Sequence, residues 1–72
     1  MFSREQFGQR LKEIRRKAGE NQTELGELLG VKKSQVSELE NGNTSTTVEK
    51  VAIICEHYKV SADYLLGLKD EP

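Results

Sequence analysis

The sequence predicts an all-α protein, a compact bundle of five short helices. Three observations predict it. Apolar residues recur three and four apart in each of five segments. Cap-forming residues precede four of these segments, and glycine or Asn-Gly closes most of them. The connections between them are short and polar, which suits helices folded back against one another. With 72 residues, of which 35% are hydrophobic and 32% charged, the chain suits a single domain (1–72) with a small core. That domain is expected to run from about residue 7 to 68, with 69–72 as a tail.

Ser3 is placed to cap the first helix, with Gln6 three residues on in a capping-box arrangement. Phe7, Leu11, Ile14 and Ala18 then form one stripe, and Gly19 ends the helix. Asn21 caps the second helix, with Glu24 in its first turn. Leu25, Leu28 and Leu29 share a stripe there, and Gly30 supplies the positive φ at which the helix stops and turns. The third helix runs from about Lys33 to Glu40 and breaks at Asn41-Gly42. Thr46 and Glu49 make a second capping-box spacing, ahead of a fourth helix. That helix carries the most apolar stripe, Val48, Val51, Ala52, Ile54, Cys55 and Tyr58. Lys59 must end it without glycine's freedom. Ser61 caps a fifth helix, with Val60 and Leu65 as a hydrophobic staple, and Gly67 ends it. Asp70 to Pro72 read as a frayed tail.

Composition removes several function classes. One cysteine excludes an internal disulfide, and Cys55 lies on an apolar stripe, where packing is its expected role. One histidine and one cysteine do not make a three- or four-ligand metal site, so no metal or cofactor is expected. His57 has no serine or cysteine nucleophile paired with it, so no catalytic residue is assigned and an enzyme ranks lowest. No apolar run approaches the roughly 20 residues that span a bilayer, and the N-terminus lacks the apolar block of a signal peptide. A cytoplasmic protein without membrane contact is the expectation.

The stretch Gln22 to Asn41 is the most telling. Its two short helices join through a turn of about three to four residues, the helix-turn-helix geometry. In the second of them Val36 and Leu39, with Val31 before, face one way. Lys33, Ser34, Ser37, Glu38 and Asn41 fall on the other. A helix buried on one side, with a ridge of hydrogen-bonding groups on the other, fits the major groove of DNA. The formal charge of −1 places the burden of phosphate attraction on local cations. These are Arg10, Lys12, Arg15, Arg16 and Lys17 on the first helix, and Lys32 and Lys33 after Gly30. Taken singly, such charges also serve to solvate helix faces.

Four segments in order, FGQRLKEIRRKAG, NQTELGELLGV, SQVSELENG and VSADYLLG, resemble the phage repressor and Cro family of helix-turn-helix regulators. This group is also called the xenobiotic-response-element family. The resemblance spans about Phe7 to Leu68. It implies a lambda-repressor-like DNA-binding domain that reads double-stranded DNA as a transcriptional regulator, most often a repressor. Gln22 then matches a phosphate-holding glutamine at a helix N-terminus, with Asn21 beside it. Lys33, Ser34 and Glu38 match positions that face base edges. Lys32 and Ser37 lie next to them, for bases or backbone. Asn41 and Asn43, around Gly42, match a turn that meets phosphate. Arg15 and Glu40 match a structural ion pair. Glu38 stays open: it can accept from cytosine N4, or restrain Lys33 or Ser34 within the helix.

The chain departs from the pattern at Gly26, where alanine is usual, and at Thr46, where proline is common. The family mode implies a homodimer, at least on DNA, bound to a pseudo-palindromic operator. Tyr64, Leu65 and Leu68 offer either a dimer surface or packing on the fourth helix. The alternative function on this scaffold is an antitoxin or protein-interaction module.

Overall fold

The computed structural model describes residues 1–72 as five helices and no strand. They are α1 (Arg4–Lys17), α2 (Gln22–Leu29), α3 (Lys33–Glu40), α4 (Val48–Tyr58) and α5 (Ala62–Leu65). The boundaries follow local chemistry. Ser3 Oγ accepts from the Gln6 N–H at 3.1 Å, the serine half of the predicted box. Asn21 and Glu24 close a full reciprocal box: Asn21 Oδ1 accepts from the Glu24 N–H at 2.8 Å, and Glu24 Oε1 from the Asn21 N–H at 2.9 Å. Gly30 stands at φ 71°, and the Val31 N–H returns to the Gly26 carbonyl at 2.9 Å, which closes α2 and swings the chain into α3. Lys59 ends α4 at φ 58°, a left-handed conformation carried by a residue with a Cβ.

Ten side chains form the core, among them Leu11, Leu25, Val36, Ile54 and Leu65 with essentially no exposure. α2 packs on α3, α1 on α3 and α5, and α4 on α2 and α5. The α1–α3 crossing is close because residue 8 is glycine. A Cβ there would overlap the carbonyl oxygens of Leu39 and Glu40. Gly26 serves the α2–α3 turn in the same way, since a Cβ would lie 2.7 Å from the Val31 carbonyl oxygen. No helix is long and apolar enough to cross a membrane.

Four expectations change. Ala18 is exposed, because α1 ends at Lys17 and the chain turns away there. Thr47, not Thr46, caps α4, its Oγ1 accepting from the Lys50 N–H at 3.2 Å. Adjacent threonines offer the same cap chemistry, and Thr47 takes it, its backbone extended at φ −83° and ψ 159°. The apolar stripe of α4 is only partly covered: Ile54 alone is fully buried, while Val48 is 82% exposed and Ala52 lies open. The tail is tied down. The Ser61 N–H donates to the Pro72 carbonyl at 3.0 Å, and Arg10 Nη1 donates to the Lys69 carbonyl at 2.7 Å. The Arg10 guanidinium also lies 4.3 Å from the Tyr64 ring centre, a cation–π contact.

Candidate nucleic-acid interface

α3 is short, and its two sides differ sharply. Val36 and Leu39 are buried, whereas Lys33, Ser34 and Glu38 are exposed and Ser37 is half-buried between them. Lys32, Asn41 and Asn43 are also exposed, at the two ends of the same ridge. The ridge follows from helical spacing, once Gly30 has set the entry angle and Gly8 has let α1 press on the far side.

The N-terminus of α2 stands beside this ridge. Asn21 spends its side-chain oxygen on the Glu24 N–H, and the Leu25 N–H bonds the Asn21 carbonyl. The N–H groups of Gln22 and Thr23 have no such partner and remain available at the positive end of the helix dipole. Gln22 is half-buried. Its Nε2 donates to Glu40 Oε1 at 3.0 Å, so the side chain is already engaged in the free protein.

Glu40 is buried and paired with buried Arg15 through two bonds. Arg15 Nε donates to Glu40 Oε2 at 2.6 Å and Nη2 to Oε1 at 3.1 Å. The bond with Glu40 raises the Arg15 pKa above its usual value, against the opposing effect of burial. Arg15 Nη1 also donates to the Glu20 carbonyl at 2.7 Å. Glu20 in turn is gripped from α4. His57 Nε2 lies 2.8 Å from one carboxylate oxygen, and the Tyr58 hydroxyl donates to the other at 2.8 Å. These contacts, His57 first, pull the Glu20 carboxyl below its ordinary range. Burial, then the bond to Glu20, pushes the Tyr58 phenol up, and burial raises the Cys55 thiol.

Two further residues have partners that the sequence did not disclose. Glu38 is engaged by neither Lys33 nor Ser34. Asn43 Nδ2 donates to its carboxylate at 3.3 Å, and the Asn43 N–H to its carbonyl at 3.0 Å. Gln35 Oε1 accepts from the Lys32 N–H at 2.9 Å, which starts α3 in place of a serine or threonine cap. Its spacing to Lys32 is that of a capping box, a signal hidden because lysine stands at the cap. Glu20, His57 and Tyr58 meet across 37 and 38 residues of chain, with no local pattern to announce them.

This geometry defines a helix-turn-helix domain of the type found in transcriptional regulators. The Helix-turn-helix family model matches residues 11–65, and the chain belongs to that family. The transcriptional regulator ImmR of Bacillus subtilis is 41% identical over 65 residues, 90% of this chain and 50% of that protein. YobD of the same organism, an HTH-type transcriptional regulator, is 34% identical over 66 residues, 92% of this chain and 59% of its own length. The chain thus spans about half the length of these curated relatives. Among solved structures, the P22 c2 repressor in complex with a synthetic operator superposes with a TM-score of 0.76 at 30% identity, covering 83% of this chain and 91% of that one.

Proposed function

We propose that the chain is a sequence-specific, double-stranded DNA-binding transcriptional regulator, acting as a repressor by occupying promoter DNA. The exposed ridge of α3 carries this reading. It sets Lys33, Ser34, Ser37 and Glu38 outward over a buried Val36–Leu39 side, with open α2 N–H groups beside it. α3 enters the major groove, and Lys33 donates to guanine O6 and N7. Glu38, steadied by Asn43, accepts from cytosine N4. Asn21, Gln22, Lys32 and Asn41 hold the backbone on either side. Asn43 takes the place of a support to Glu38 ahead of its phosphate role. The site of action is the cytoplasm, with DNA.

One short helix reads few base pairs, so two copies bind two half-sites roughly 34–36 Å apart. Tyr64 and Leu65 are core residues and are not available for pairing. The apolar surface that is available is a groove of about 250 Å³ lined by Phe2, Val48, Val51 and Leu66. It shares Ser45 and Thr46 with the groove flanking α3, so a second copy seated there lies next to the DNA face. Val48→Lys is expected to weaken binding to a two-half-site duplex by at least tenfold and leave single half-site binding intact, in an estimate of about 1.4 kcal/mol per tenfold. Equal affinity of Val48→Lys and wild type for the two-half-site duplex rejects this pairing surface.

Selection from random duplexes at two salt concentrations tests the main reading. An enriched motif is expected. Purely salt-sensitive binding without one rejects sequence-specific regulation. Lys33→Ala is then expected to relax one base position at a cost of about 1–3 kcal/mol.

A further inference from the structure

We propose that Glu40, which lies beneath the reading surface, is a positioning residue for the DNA-backbone contact of Gln22; this rests on the DNA-binding reading above. A carboxylate only accepts hydrogen bonds, so the amide nitrogen of Gln22, and not its oxygen, must face Glu40. The orientation of an otherwise two-fold side chain is thereby fixed. One Nε2 hydrogen is used by Glu40. The second, on a half-buried side chain at the first position of α2, is left to donate.

The support cannot swivel. Both Glu40 oxygens are held by Arg15, and Arg15 is itself tied to the Glu20 carbonyl, in the turn that leads into α2. Glu20 is anchored to α4 by His57 and Tyr58. Gln22 therefore stands on a chain of contacts that reaches three other helices. Ordering a free glutamine at the moment of binding would carry a rotamer-entropy cost, and here the side chain is ordered beforehand. The ion pair that joins α1 to α3 thus has a second task, presenting a donor toward a phosphate.

A double-mutant cycle read in DNA affinity tests this, on both an enriched duplex and a random one at fixed salt. Gln22→Ala is expected to weaken both by about tenfold, the worth of one hydrogen bond. Glu40→Gln is expected to weaken both similarly, yet to add little in the Gln22→Ala background. A merely structural Glu40 gives additive losses, which overturns the proposal. Should Glu40→Gln fail to fold, side-chain amide NMR of the free wild-type chain decides. Gln22 is expected to be more ordered than the exposed Gln6, and equal mobility of the two overturns the proposal. A wild-type chain that binds no duplex overturns the DNA reading and the proposal with it. Binding with an additive cycle overturns the proposal alone.

Discussion

The α1–α3 part of the molecule and the α4–α5 part are built to different tolerances. In the first, the helices are drawn together by Gly8 and Gly26, capped reciprocally at Asn21–Glu24, and locked by a buried ion pair. In the second, one residue of α4 is fully buried, the helix ends on a left-handed lysine, and α5 is a single turn. The rigid part carries the ridge proposed to read bases, and the looser part carries the exposed apolar groove. On the proposed reading, the contrast sets positional accuracy where it is needed: side chains meant for base edges require a fixed platform, whereas an apolar surface tolerates adjustment.

Three experiments break or sharpen that contrast. Glu40→Ala should have the largest effect. It leaves Arg15 buried and uncompensated, and is expected to cost about 3–5 kcal/mol in denaturant unfolding. A loss below 1 kcal/mol would remove the ion pair from the account of rigidity. Lys59→Gly acts in the other part and in the other direction. Relief of the left-handed conformation, partly offset by glycine's entropy, should stabilise by about 0.5–1 kcal/mol. A destabilised Lys59→Gly chain would mean that the lysine side chain contributes there.

The smallest effect concerns Glu20, which joins the two parts. Its pKa is depressed in the folded chain, so the stability it contributes is present above the ordinary carboxylate value of 4.5 and is lost as pH falls through the folded value. Its partly exposed position keeps this below about 1 kcal/mol. Wild type should exceed Glu20→Gln in stability at pH 7, and the gap should close in acid below about pH 4.5. A gap unchanged at pH 3 would assign the effect to packing instead of charge.

Legibility in the sequence divided by the range of each contact, and both parts hold contacts of either kind. Ser3, Asn21, Gly30, Lys59 and Ser61 act on backbone groups a few residues away, so the helix ends could be read from neighbouring letters. The outward ridge of α3 followed from spacing alone. Thr46 against Thr47 could not be separated locally, since adjacent threonines carry the same capping hydroxyl. The exposure of α4 was hidden for a related reason: periodicity shows which residues share a face, not whether a neighbour covers it. The contacts Gln22–Glu40 and Glu20–His57 join residues 18 and 37 apart, distances at which only the completed fold brings them together.

One side chain in the looser part supplies a timer for its own region. Cys55 carries the chain's one thiol, half-buried on the inner side of α4, with its pKa raised by burial. The thiolate is the species that reacts, so partial burial slows alkylation while α4 is docked. Detachment of α4 would expose it fully. The pace of alkylation in the native protein therefore sets an upper limit on the frequency of such detachments, and a pace faster than global unfolding locates reactivity in the docked or locally opened state. No probe needs to be engineered, because no second cysteine competes for the label.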